Sequence, residues 1–160
     1  MNERLLLEAA TTLGYRLAMS GAETFRVEDS ISRILKTYGM EPEVYAIPNC
    51  IHVSVTMPDG KSLTEMRRVG FHGNDLDSVE IFSALSRRIC TEKPDDVLGR
   101  QWLNEAIASR RTHHPALQLL GYFVSSFAFG IFFGGNLIDA LCAGISGFIV
   151  GLSIMFMDKL

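Results

Sequence analysis

The sequence predicts an α+β domain of two helices, a small antiparallel sheet and two more helices, followed by an all-α transmembrane helical hairpin. Three observations predict it. Pro115 to Met157 carries a single formal charge, Asp139, among residues that are otherwise apolar, small or weakly polar. A helix needs about 20 mostly apolar residues to cross a bilayer core, so this run is long enough for two. Ahead of it, apolar residues recur at helical spacing near the N-terminus and again from Leu76 onward. Between those stretches, Ile51, Val53 and Val55 alternate with His52, Ser54 and Thr56, the period-two pattern of a half-buried strand. The resulting domains are residues 1–112 and 113–160, within a length that allows one compact domain plus the hairpin.

From Glu3 to about Met19, Leu5, Leu6, Ala9, Leu13 and Leu17 mark the apolar face of a first helix. It lacks the Lys/Arg-rich polar face of a helix lying on a membrane. Ser20 and Glu23 have the S-x-x-E spacing of a capping box and predict the start of a second helix. That helix continues through Val27, Ile31, Ile34, Leu35 and Tyr38 and stops at Gly39, a good residue just past a helix end. Its other side carries Arg26, Ser30 and Arg33. By spacing alone Glu23 is a capping residue.

Glu43 to Met57 reads as β, with a break or edge kink at Pro48-Asn49. Met57-Pro58-Asp59-Gly60 is a tight-turn signature, with Gly60 in a left-handed position. Lys61 to Val69 returns as a partner strand. Asn74 or Asp75 caps a third helix through Leu76, Val79, Phe82, Leu85 and Ile89. Pro94 at a first helical position, with Asp95 and Asp96 in the first turn, opens a fourth, through Leu98, Trp102, Ala106 and Ile107 to Arg111. His113-His114-Pro115 then leads into the apolar run, where paired histidines suit a headgroup interface or a pH-sensitive site.

Gly134-Gly135-Asn136 divides the hairpin into spans of about 115–133 and 137–157. A buried helix of a soluble core usually keeps a polar stripe, and neither span has one. Arg100, Arg110 and Arg111 precede the first span, Lys159 follows the second, and the turn has no Lys or Arg. The positive-inside rule then puts both ends in the cytoplasm and the tight turn outside. Gly130 and Gly134, and Gly147 and Gly151, form two G-x-x-x-G pairs, extended one turn by Ala143, which let helices approach closely in lipid. Ser125, Ser126, Ser146 and Ser153 can bond back to their own helix or line a polar path. Asp139 fits a carboxylate at a helix start, or a polar gate at a pathway mouth.

The net charge of −3 and the absence of a basic stripe argue against nucleic acid. The three cysteines, Cys50, Cys90 and Cys142, are scattered and form no CxxC pair. Cys50 and His52 share a strand face, but two residues do not make a metal site. There is no nucleophile elbow, phosphate loop or HExxH. Asp75, Asp77, Asp95 and Asp96 are explained as helix-start residues. Neither cofactor, metal nor catalytic residue is therefore expected.

The run Ser20-Gly21-Ala22-Glu23-Thr24, with Arg26-Val27-Glu28 and Tyr38-Gly39, resembles the opening motif of the threonine/serine exporter family, which includes bacterial two-component succinate exporters. The resemblance continues at Tyr45-Ala46-Ile47-Pro48-Asn49-Cys50-Ile51, at Asp75-Leu76 through Leu85-Ser86-Arg87, and at Phe133-Gly134-Gly135-Asn136 with Asp139-Ala140. It implies a cytoplasmic domain joined to a membrane exporter of small polar metabolites. Hydrolase activity has been suspected for that domain, and nothing in these residues supports it. Two helices cannot enclose a polar path, because lipid would face it on most sides. The expectation is therefore further spans, a homo-oligomer or a second membrane subunit. Arg26 and Arg33, seven residues apart on one helical face, suit a carboxylate-bearing substrate such as a small amino acid or a dicarboxylate, with Glu23 fixing Arg26 from one turn earlier. The rival expectations are a membrane-anchored interaction module and a membrane-tethered hydrolase.

Overall fold

The computed structural model describes residues 3–57, 60–70, 73–109 and 113–157. The chain forms two compact units, Met1–Arg110 and Arg111–Leu160. The first contains α1 (Glu3–Met19), α2 (Thr24–Thr37), β1 (Glu41–Ile47), β2 (Cys50–Thr56), β3 (Ser62–Arg68), α3 (Leu76–Glu92) and α4 (Asp96–Ala108). The second contains α5 (Pro115–Phe132) and α6 (Leu137–Met157).

The sheet is antiparallel in the order β1-β2-β3, so the most apolar strand is central. Ile51, Val53 and Val55 of β2 point inward and are fully buried, against Leu13 and Leu17 of α1, Val27, Ile31, Ile34 and Leu35 of α2 and Phe82 of α3. Each such side chain contributes about 1.5–3 kcal/mol by leaving water. Ile47 pairs with Cys50, which makes Pro48-Asn49 a two-residue hairpin turn and not a kink within a strand. Proline is tolerated there because no ladder bond is asked of its nitrogen. The free edge of β1 is partly closed by α2, since the Ala46 N–H donates to Glu28 Oε1 at 2.7 Å. Pro58 and Asp59 lie outside the described residues. The flanks of that turn show the expected bond, Gly60 N–H to Met57 O at 2.9 Å, with φ of +81° at Gly60.

One device ends three helices. After α1, α2 and α5 the chain turns through Gly21, Gly39 and Gly134 at φ of +83°, +81° and +86°. In each case two backbone N–H groups reach back to the last carbonyls: Gly21 to Ala18 and Ala22 to Leu17, Gly39 to Lys36 and Met40 to Leu35, Gly134 to Ile131 and Gly135 to Gly130. This is the Schellman arrangement, and it asks for a residue without Cβ at the turning point.

Three further expectations are corrected. The Ser20–Glu23 capping box does not form. Ser20 closes α1, its hydroxyl donating to Arg16 O at 2.8 Å, and α2 begins only at Thr24 with no side-chain bond from Glu23. The left-handed Gly21 separates the two residues that the box needs on one turn. Pro94 precedes the N-cap Asp95, whose carboxylate accepts the Leu98 N–H at 2.8 Å, so α4 starts at Asp96. Leu76 is 78% exposed and lies off the buried stripe of α3. In β3 the inward positions are Leu63, Glu65 and Arg67, while Met66 faces out. Arg67 and Glu65 form an ion pair of 3.0 Å, which lets a charged pair occupy a half-buried face.

Tyr38 links the end of α2 to the start of α4 by donating its hydroxyl to Pro94 O at 2.8 Å. Burial, then the neighbouring Cys90, Asp96 and Asp95, raise its phenol above the ordinary 10.0. An acid whose folded-state value is raised stabilises the fold fully below its unfolded value, about 10, and loses that contribution as pH rises through the folded value. Tyr38→Phe should therefore be less stable than wild type near neutrality, with the gap closing above pH 10. Thermal unfolding of the detergent-solubilised chain across pH 8–12 checks this, and parallel profiles would count against it.

In the second unit, α5 and α6 are long and apolar enough to cross a bilayer, with mean hydropathy of 1.4 and 2.1. No side chain of α5 is buried, which does not fit a helix from a soluble core. His114 caps α5, its Nδ1 accepting the Ala116 N–H at 3.2 Å, and Pro115 follows in the first turn. Of the charges that set the expected orientation, Arg100 sits on α4 facing Glu8 at 3.6 Å. Arg110, Arg111 and Lys159 lie outside the described residues.

Candidate functional site

The first unit brings the N-terminal turns of α2 alongside α3, and the residues responsible are local. A Cβ on Gly21 would lie 2.5 Å from Gly73 O and 2.7 Å from Asn74 Oδ1, so the α1–α2 and β3–α3 connections touch backbone to backbone. The Asp75 N–H donates to Ser20 O at 2.9 Å. Asp75 in turn caps α3, accepting the Ser78 N–H at 3.0 Å and its hydroxyl at 2.6 Å. The motif around Ser20-Gly21 thus sets where both helices start.

Between α2 and α3 runs a polar groove of about 280 Å³, adjoining a second depression of about 330 Å³ toward Gly21 and Leu76. Glu23, Arg26, Ser83 and Arg87 line both. Two of the residues expected for substrate, Glu23 and Arg26, are therefore together. Arg33 lines only the 280 Å³ groove and is paired with Asp29 one turn earlier. The expected Glu23–Arg26 pairing is absent. Glu23 is the N-cap of α2, its carbonyl accepting the Val27 N–H at 3.1 Å, and its carboxylate makes no bond to the helix end. Among the described residues, Glu23, Arg26 and Arg87 have no ion-pair partner.

Sequence reasoning missed Ser83 and Arg87. Ser83 is 7% exposed and its hydroxyl has no hydrogen-bond partner. A helical hydroxyl ordinarily bonds the carbonyl four residues back, as Thr11, Thr37 and Thr91 do here. The available signal was the run of small polar residues, Ser83 and Ser86, on the buried face of α3, with Arg87 one turn beyond Ser83. A more enclosed cleft among α1, α2 and α4 is apolar and holds about 30 Å³, enough for about one water. Among the described residues no three metal-ligating side chains cluster.

In the second unit the helices meet along a seam of small residues. Ala140, Gly144, Gly147 and Gly151 fall on one face of α6. A Cβ on Gly147 would lie 2.7 Å from Tyr122 O, one on Gly151 2.7 Å from Tyr122 Cγ, and one on Gly144 2.8 Å from the Phe123 ring. From α5, Gly130 approaches the backbone of Ala140. Gly134, expected in this packing, lies in the turn and would touch nothing if it carried a Cβ. Gly144 of α6, which neither expected pair includes, joins the seam. Ser146 and Ser153 bond back to Cys142 O and Ile149 O. Asp139 accepts the Asn136 N–H at 3.0 Å, while Asn136 Oδ1 accepts the N–H groups of Ile138 and Asp139 at 2.8 and 3.0 Å. This reciprocal cap uses one oxygen of Asp139 at the start of α6.

One family model, ThrE, described as threonine/serine exporter, matches residues 8–160, which takes in both units. Neither the curated proteins nor the solved structures give a match.

Proposed function

We infer, from the fact that this chain belongs to the threonine/serine exporter family, that it is a component of an inner-membrane exporter of small amino acids. The single observation that carries this reading is the family match extending over both the α+β unit and two helices of bilayer-crossing length. Both helix ends away from the turn face the cytoplasm. The small-residue seam packs the hairpin, and additional helices, from a second membrane subunit, another copy or further spans, complete the path.

The α+β unit acts on the cytoplasmic side as a vestibule or gate, with Arg26 taking the substrate carboxylate and Glu23 beside it; Arg33 supports the same face through Asp29. Asp139 anchors the outer end of α6 and places one carboxylate near the exit. A dicarboxylate such as succinate is the competing substrate. The test is efflux of labelled L-threonine, L-serine and succinate from cells with and without the complete transporter. Faster loss of the amino acids supports the reading. Faster loss of succinate alone moves the substrate to dicarboxylates, and equal efflux for all three removes it.

A further inference from the structure

We propose that the junction of the two depressions on the α2–α3 face is a binding site for the zwitterionic head of a small α-amino acid, with Arg87 and Ser83, not Arg33, completing it. This deepens the exporter reading and rests on it for the source of the ligand. Four side chains lie where the depressions meet: Glu23, Arg26, Ser83 and Arg87. Two are guanidinium groups and one is a carboxylate, and none of these three has an ion-pair partner among the described residues. Unpaired charges of both signs around one groove match a ligand that carries both signs. A phosphate or a dicarboxylate would leave Glu23 opposed.

The fourth side chain supplies an independent observation. Ser83 is 93% removed from solvent by its 7% exposure, and its hydroxyl is unpartnered. An unsatisfied buried hydroxyl is costly, and a donor held without a partner beside two guanidinium groups suits an incoming carboxylate oxygen. Arg26 and Arg87 arrive from different helices and can meet one carboxylate from two directions. Glu23, at the N-cap of α2, is left to accept the ammonium. The two depressions, about 280 and 330 Å³, leave room at their junction for a small amino acid. Arg33 lines only the 280 Å³ groove, away from the junction, and is paired with Asp29.

The test is calorimetric titration of the full chain in detergent with L-serine, succinate and inorganic phosphate as probes. Saturable L-serine binding is expected, with succinate and phosphate at least about tenfold weaker. Arg87→Ala should weaken L-serine at least about tenfold, the loss typical of a charge-assisted bond, with partial recovery in Arg87→Lys. Ser83→Ala should weaken it about fivefold without lowering the unfolding temperature, because an orphaned hydroxyl is removed. A merely structural serine would give wild-type affinity. Absence of L-serine binding, equal binding of phosphate or succinate, or wild-type affinity in Arg87→Ala and Ser83→Ala would each overturn the proposal. If binding behaves as expected while Arg87→Ala cells export normally, the site stands and the vestibule role of this unit falls.

Discussion

Replacing Gly147 with leucine is expected to abolish efflux and to lower the unfolding temperature of the solubilised chain sharply. At this position a side chain meets the carbonyl oxygen of Tyr122 at 2.7 Å already at its Cβ, and the Ser126 hydroxyl is closer still. A backbone carbonyl in a helix cannot rotate away without breaking its own bond. The two helices must therefore move apart, losing the dispersion contacts that hold them, because lipid offers no hydrophobic force to replace them. Overpacking in well-packed interiors costs about 1–3 kcal/mol, and a whole leucine at a helix crossing sits at the upper end. Gly121→Leu is the control for folding. A Cβ at Gly121 meets nothing within 4 Å, so its unfolding should match wild type. If Gly147→Leu unfolds and transports like wild type, the seam is not where these helices pack.

Gly21→Val carries the second large effect, in the α+β unit. The backbone there has φ of +83°, which a β-branched residue adopts only with strain of about 1–2 kcal/mol. A Cβ also lies 2.5 Å from Gly73 O. Steric relief adds about 1–3 kcal/mol, for a total of about 2–5 against a typical fold stability of about 5–15. Gly39→Val isolates the two contributions. Its φ is nearly the same, +81°, and its Cβ would touch nothing. Gly39→Val should therefore lose only the backbone share, and Gly21→Val about twice as much or more. The excess should appear locally as faster amide exchange at Gly73 and Asp75, whose N–H groups bond Met19 O and Ser20 O. Equal destabilisation by the two variants would show that the α2–α3 junction does not depend on the contact at Gly21.

The elements legible in the sequence were those with a long unbroken period. The end of α1, both ends of α5 and the start of α6 fall within a residue of expectation, because Gly21, Pro115 and Gly134-Gly135 bound the apolar spacing there. What failed was local competition between two uses of the same residues. Ser20 and Glu23 have capping-box spacing, but the left-handed Gly21 between them assigns Ser20 to the end of one helix and leaves Glu23 at the N-cap of the next without a side-chain bond. Pro94 looked like a first helical residue because its neighbour Asp95 could equally cap or follow. The groove was half legible. Arg26 was found from its place opposite the apolar stripe. Arg33 has the same helical face but its charge is spent on Asp29, which spacing cannot weigh against a ligand. Arg87 and Ser83 come from a helix distant in sequence and become neighbours of Arg26 only once α3 packs on the shared core and the Ser20–Asp75 bond fixes its start. In the hairpin, Gly134 completed a motif by spacing, yet the turn needed its positive φ, and the seam instead gains Gly144 from α6.

The most direct test of the account is the accessibility of the α5–α6 turn in intact cells. Cys50, Cys90 and Cys142 are first replaced by serine, and a single cysteine is then introduced by Phe133→Cys, at a turn residue 79% exposed, or by Asn104→Cys on the outer face of α4. A membrane-impermeant maleimide should label the Phe133→Cys chain in whole cells and the Asn104→Cys chain only after the membrane is opened. Equal labelling of both before opening, or recovery of the chain in the aqueous fraction without detergent, would contradict a hairpin that crosses the bilayer with its soluble unit inside.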